Sequence, residues 1–200
     1  MKNDKGMLIV VSGFSGVGKG TVAKLVFESL PELKFSVSCT TRAPREGEID
    51  GVNYYFLSED EFERKIAADE FAEYTRTFTN YYGTLKSEID RAISVGDDVM
   101  LELNVVGARN IKKLYPDSVT IFIAPPSIEE LKHRLIGRGT ESEDSLKRRF
   151  DEIELEKREI EHYDYCVTNN VVRDCADEIV GIINSEHLKV SRKNIENLIK

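Results

Sequence analysis

Tryptophan is absent, and cysteine and histidine occur only three times each in 200 residues. Cys39, Cys166 and Cys175 form an odd set with no C-x-x-C spacing. That argues against a disulfide framework or a cysteine zinc site and fits a reducing compartment. His133, His162 and His187 are scattered, so the chain spells out no histidine metal cluster and no nucleophile–histidine pair. The first two fall in charged helical stretches and read as solvated. No apolar run approaches the ~20 residues of a membrane span. After Met-Lys-Asn-Asp-Lys, the run Leu8–Val11 is too short for the apolar region of a signal peptide. Basic residues are outnumbered 28 to 36, for a net charge of −8, so a sequence-independent nucleic-acid binder with its basic stripe is not expected. The expected setting is cytoplasmic, with neither membrane nor nucleic acid as partner. No internal repeat or low-complexity segment is present. A chain of this length, 40% hydrophobic, suits one domain carrying small inserted lobes.

What is present begins with Leu8-Ile-Val-Val11, an apolar run leading into Gly13-Phe-Ser-Gly-Val-Gly-Lys-Gly-Thr21. A buried strand, a glycine-rich turn, a lysine and then a helix form the phosphate-binding pattern G-x-x-x-x-G-K. Glycine lets the backbone curl so that successive N–H groups of Gly13, Ser15, Gly16, Val17, Gly18, Lys19, Gly20 and Thr21 face phosphate oxygens. The helix that follows aims its positive end at the same anion. Lys19 adds a full charge. Gly20 stands where the pattern places a serine or threonine, with Thr21 next. A Mg²⁺ ion is therefore expected to be held mainly by nucleotide phosphates and water, with no protein metal ligand assigned.

Strand signals recur at Met7–Ser12, Phe35–Cys39, Val99–Leu103, Val119–Ala124 and Tyr165–Thr168. Helical patterns lie over Lys19–Leu30, from the capping box Ser127-Ile-Glu-Glu130 to about Leu135, over about Ser145–Glu161, and over about Asp174–Glu186. This alternation predicts an α/β fold, a parallel sheet flanked by helices, with ligands beyond the carboxyl ends of the strands. Two stretches interrupt it. Residues from about Thr41 to Tyr82 are rich in tyrosine, phenylalanine and charge, with Ser58-Glu-Asp-Glu61 capping a short helix, and read as an inserted lobe of short strands. Gly137-Arg-Gly-Thr140, flanked by Arg134 and Arg149, has the composition of a lid. The tail Val190–Lys200 reads as an extra turn of helix or a frayed end.

Ser38-Cys-Thr-Thr-Arg42-Ala-Pro-Arg45-Glu-Gly-Glu48 follows a strand. Its two arginines suit a second phosphate, because a guanidinium pairs bidentately with phosphate oxygens and keeps its charge. A solvated surface pair is the equal alternative for this stretch alone. Taken singly, Glu73 reads as a surface residue, and Tyr54, Tyr81 and Tyr82 as core.

Taken together, these stretches resemble guanylate kinase from about Met7 to Leu188. Five motifs carry the resemblance: Gly13–Thr21, Ser38–Glu48, Asn80–Thr84, Ile123–Ser127 and Gly137–Thr140. It implies a P-loop kinase core (about 1–40 and 85–200), an inserted mixed α/β GMP-binding lobe (about 41–84) and a small helical lid (about 134–150). The implied partners are ATP and GMP, and the implied activity is in-line transfer of a phosphoryl group from ATP to GMP. Lys19 and the loop backbone would hold the ATP phosphates, with Asn169 near adenine. Arg42, Arg45, Tyr54 and Tyr82 would hold the GMP phosphate, and Glu48 of the same motif would also belong to the GMP site. Ser38, Glu73, Thr84 and Asn104 would serve the guanine. Lys19, Arg42, Arg134, Arg138 and Arg149 would neutralise the group in flight.

The chain departs from the family pattern at Phe14, which replaces a proline, and at Glu102-Leu-Asn-Val-Val-Gly107. There the family shows acid, apolar, acid and then Gln-Gly, so Asn104 replaces the second acid and Val106 the glutamine. Asn104 is expected to accept a hydrogen bond without supplying charge. Two alternatives are a nucleoside monophosphate kinase of altered base choice and a non-catalytic phosphopeptide-binding module. The second conflicts with the intact loop and Lys19. The sequence leaves monomer and homodimer equally open.

Overall fold

A computed structural model describes residues 6–77, 79–137 and 152–193. In chain order the elements begin with β1 (Leu8–Gly13), α1 (Lys19–Ser29), β2 (Lys34–Phe35), β3 (Cys39–Thr40), β4 (Tyr55–Phe56), α2 (Glu59–Ala67), β5 (Phe71–Thr77) and β6 (Asn80–Leu85). They continue with α3 (Lys86–Ser94), β7 (Val99–Glu102), α4 (Val105–Leu114), β8 (Val119–Ala124) and α5 (Ile128–Gly137). A helix over 152–159 (α6) runs into a 3₁₀ turn at Ile160–His162. Then come β9 (Tyr165–Thr168), α7 (Val172–His187) and a last 3₁₀ turn, Val190–Arg192.

Five parallel strands form the main sheet in the order β2-β7-β1-β8-β9. Every residue of β1 is buried, because helices cover both faces and leave no solvated side for alternation to mark. Ile9 and Val11 point to one face, where α1, α5 and α7 contribute Val22, Val26, Leu131, Leu135, Ile179 and Ile183. Leu8 and Val10 point to the other, against Ile89 of α3 and Ala108 and Ile111 of α4. This is the doubly covered α/β sheet that the alternating pattern predicts. Helices α3 and α4 have no counterpart among the sequence expectations.

One expected strand is divided. Phe35–Cys39 is not continuous: Ser36 N–H still donates to Met100 O of β7, after which the chain leaves the main sheet. Cys39 joins a second, four-stranded sheet, β4-β3-β6-β5, where it pairs with Tyr55 and Gly83. The second sheet has its own small core of Cys39, Phe62 and Phe71, with Phe62 stacked between Phe71 and Tyr81. Helix α2 closes over it. Its Ser58 N-cap accepts from Glu61 N–H, and Glu61 returns a bond to Ser58 N–H, the reciprocal box read from the sequence.

At α5, Ser127 Oγ likewise accepts from Glu130 N–H. The first part of the expected 145–161 helix lies outside the described residues, as do Arg138, Arg149 and the end of the tail, 194–200.

Candidate active site

The loop between β1 and α1 emerges at the carboxyl end of the central strand. Two of its glycines are required by backbone conformation. Gly16 has φ +85° and Gly18 +99°, in the left-handed region where a side chain is strained. A Cβ on Gly16 would also overlap Leu135 Cδ2 of α5. Lys19 Nζ donates to Gly13 O (2.8 Å) and Phe14 O (3.2 Å), so the ammonium folds over its own loop. Phe14 is itself buried, packed edge-on against Phe122. The aromatic ring at the family's proline position thus anchors the loop to the core.

Asn169 is buried at the end of β9, and its amide donates to Val17 O at 2.8 Å. The residue expected near adenine therefore braces the phosphate loop from beneath.

Glu102 ends β7, the neighbour of β1; the sequence shows it as the first acid of Glu102–Gly107 but gives it no role. Its Oε2 lies 3.6 Å from where a Gly20 Cβ would stand. Burial pushes its carboxyl above the ordinary range, and the nearby Lys19 charge pulls it back. The available signal was an acid closing the strand beside the phosphate-loop strand. Glu156 on α6 was missed in reading the sequence. Both its carboxylate oxygens lie 3.1 Å from Ser15 N.

A second cluster forms in the lobe. The Arg42 guanidinium makes a forked pair with Glu48 (2.8 and 3.0 Å) and donates to Ala43 O. It sits 5.5 Å from the centre of the Tyr54 ring, which in turn is 6.2 Å from that of Tyr82. Arg45 contributes its backbone N–H to Glu48 at 2.7 Å. Glu48 is therefore the internal counter-ion of the arginine loop. Its carboxylate accepts from the Arg42 fork and from Arg45 N–H. The Arg42 hydrogen bonds hold the Glu48 carboxyl below its usual range. Burial raises the Tyr54 phenol, helped by Tyr82.

The third cluster joins lobe to core. Glu73 is 7% exposed, not the surface residue that its isolated sequence context implies. The reason is a slip in register on β5, where Phe71 pairs with Leu85 but Glu73 with Thr84. Such a bulge puts neighbouring side chains on one face. Phe71 enters the lobe core, while Ala72 packs with Ala108 and Ile111 of α4 and Glu73 also turns toward α4. Thr84 Oγ1, fully buried, donates to Glu73 Oε1 at 2.8 Å. Burial raises the Glu73 carboxyl above its ordinary value, opposed by the Thr84 bonds.

Asn104 is the N-cap of α4, its Oδ1 accepting from Gly107 N–H at 2.8 Å. A Cβ on Gly107 would stand 3.1 Å from Glu73 Oε2 and 3.4 Å from Asn104 Oδ1. The amide oxygen expected to face the base thus holds the first turn of α4, beside Glu73. Ser38 contributes its carbonyl, which accepts from Tyr55 N–H. Arg134 lies on α5; Arg138 and Arg149 lie outside the described residues.

The phosphate loop, Glu102 and Asn104 all stand at carboxyl ends of adjacent parallel strands, and β5 of the lobe packs on α4 next to them. A family model described as guanylate kinase matches residues 5–186. A guanylate kinase of Clostridioides difficile (strain 630) is 50% identical over 192 residues, covering 96% of this chain and 94% of its own. One from Clostridium tetani is 48% identical over 189 residues, 94% of this chain and 90% of its own. The crystal structure of guanylate kinase from Anaplasma phagocytophilum superposes with a TM-score of 0.74 at 32% identity, covering 94% of this chain and 90% of that one. By sequence along nearly its whole length, and by the fold that carries these three clusters, the chain belongs to the guanylate kinase family.

Proposed function

We propose that this chain catalyses ATP + GMP → ADP + GDP, and that the three clusters divide the work. Family membership carries the reaction. The single structural observation that supports guanine as the acceptor base is the Glu73 carboxylate, buried in the lobe and aimed at the Asn104–Gly107 turn. Guanine presents two adjacent N–H donors on its Watson–Crick edge, and one carboxylate accepts both. Adenine presents an acceptor at the ring position and is refused.

Arg42, held by Glu48 and flanked by Tyr54 and Tyr82, receives the GMP phosphate, with Arg45 from the same loop. Glu48 keeps the fork pre-oriented while a phosphate takes over part of its bonds. Lys19 leaves its carbonyl partners for the phosphates of ATP, and the loop N–H groups hold the rest. Phosphoryl transfer needs in-line placement and positive charge around the equatorial oxygens, not a general base.

Among the described residues, no three or more His, Cys, Asp or Glu side chains converge into a metal cage. The donor set fits Mg²⁺ carried in on the nucleotide phosphates, with Glu102 as an acceptor for its water. Gly20 leaves that side of the loop open. When bound, the metal ion would neutralise phosphate charge. No helix among the described residues is long and apolar enough to cross a membrane.

A coupled ADP-release assay with ATP, Mg²⁺ and GMP, run beside AMP, UMP, CMP and IMP, tests the assignment. Turnover with GMP and rejection of AMP by about 10⁴ is expected from a site built to hydrogen-bond one base. Equal turnover with another base would overturn the Glu73 assignment and keep the kinase.

A further inference from the structure

Glu156 stands outside the three clusters' division of work. It is 7% exposed and lies on α6, yet both its carboxylate oxygens sit 3.1 Å from the backbone N of Ser15, 141 residues away in sequence. Ser15 belongs to the phosphate loop. A carboxylate taken out of water and set on a backbone N–H forms a strong, charge-assisted bond. A buried bond that joins residues 141 apart in sequence points to something the loop needs.

The surroundings indicate what that is. One turn before Glu156, Ile153 is buried in the same core as Phe14, Leu131 and Leu135. Leu135 presses on Gly16, the residue after Ser15. Asn169 holds Val17 O from below. The loop is thus gripped at three successive residues: Ser15 by Glu156, Gly16 by Leu135 and Val17 by Asn169. Asn169 makes an amide hydrogen bond and Leu135 a packing contact; Glu156 is the carboxylate that accepts from the loop backbone.

We propose that Glu156 is a positioning residue for the ATP site. It fixes the Ser15 peptide so that the N–H groups after it, from Gly16 onward, converge on the phosphates. The inference rests on the reading of this loop as the ATP site. It names no contact between Glu156 and nucleotide.

The test uses the full chain with Glu156→Ala and Glu156→Gln, measuring KM for ATP, KM for GMP, kcat and Tm, together with direct titration of ATP. Glu156→Ala is expected to raise KM and Kd for ATP about tenfold, the worth of one bond to a charged group. KM for GMP should stay within about twofold, since the Ser15 peptide that Glu156 holds belongs to the phosphate loop and not to the lobe. Glu156→Gln keeps one acceptor oxygen for Ser15 N–H and should recover part of the loss.

Ile153→Val on the same helix is the control for simple destabilisation: it should lower Tm and leave both KM values alone. Lys19→Ala separates the underlying reading. If it fails to impair ATP use, the loop is not the ATP site. If it does impair ATP use while both Glu156 variants bind ATP like the wild type, the loop reading stands and the positioning role is wrong. Tighter ATP binding in Glu156→Ala would also overturn the proposal, since it would mean that the carboxylate competes with phosphate.

Discussion

Replacing Glu73 with glutamine should make the protein more stable and a much poorer user of GMP. In the folded state burial raises the Glu73 carboxyl above its ordinary value, against the lowering by Thr84. A carboxyl whose folded pKa exceeds its unfolded one binds its proton more tightly when folded, so stability falls as pH rises through that window. The window opens near the unfolded value of about 4.3 and closes at the raised folded value. Above that window the Glu73 carboxylate therefore weighs against the empty fold, and Glu73→Gln, with no charge to bury, removes that load.

The geometry of binding runs the other way. Thr84 Oγ1 donates to Glu73 Oε1. In the variant the amide oxygen takes that place and turns the amide nitrogen toward Gly107 and the base. Two N–H donors of guanine then face a donor. Losing one hydrogen bond to a charged group costs about 1.5–3 kcal/mol, so KM for GMP should rise roughly 10- to 150-fold, with KM for ATP unchanged. Melting curves at pH 5 and pH 7.5, paired with initial rates over GMP concentration, give both halves. Tm should exceed that of the wild type at pH 7.5, with a smaller gap at pH 5. An unchanged KM for GMP, or a lower Tm at pH 7.5, would refute the reasoning.

Other changes follow from the same contacts. Gly107→Ala places a methyl 3.1 Å from Glu73 Oε2 and should raise KM for GMP about tenfold by displacing that carboxylate, while leaving ATP binding intact in a direct titration. Asn104→Asp keeps the cap on Gly107 N–H and adds a second negative charge beside the base donors, so KM for GMP should fall about fivefold or more, near 1 kcal/mol. No change, or a rise, would show that the amide suffices. Gly16→Ala must hold φ +85° and push Leu135 aside. The left-handed conformation alone costs about 1–2 kcal/mol, so Tm should drop by about 5 °C or more in a domain of this size, with loss of ATP binding.

Legibility from sequence followed locality. The phosphate loop is read from nine consecutive residues because its chemistry is backbone chemistry, set by glycines and the helix that follows. Strands β1, β7 and β8 are short apolar runs buried on both faces, and they stand out without a partner being known. The Ser58–Glu61 and Ser127–Glu130 caps are likewise only four residues long. Phe35–Cys39 misleads for the opposite reason. Nothing in five residues says that Ser36 ends one sheet and Cys39 begins another; that depends on where Met100, Tyr55 and Gly83 lie.

The sequence by itself therefore determined the class of fold, the phosphate loop and, through resemblance, the family and its substrates. Tertiary structure decided the electrostatic detail. A bulge on β5 turned Glu73 from a solvated acid into a buried one. Glu48 became a counter-ion to Arg42, and Asn104 a helix cap beside the buried Glu73 carboxylate. Asn169 and Glu156, 152 and 141 residues from their partners, became braces of the phosphate loop. The physical reason is that local hydrogen bonds and periodicity are written into neighbouring residues. A carboxylate's charge state, and the group it faces, depend on burial and on distant segments that meet only when the chain is folded.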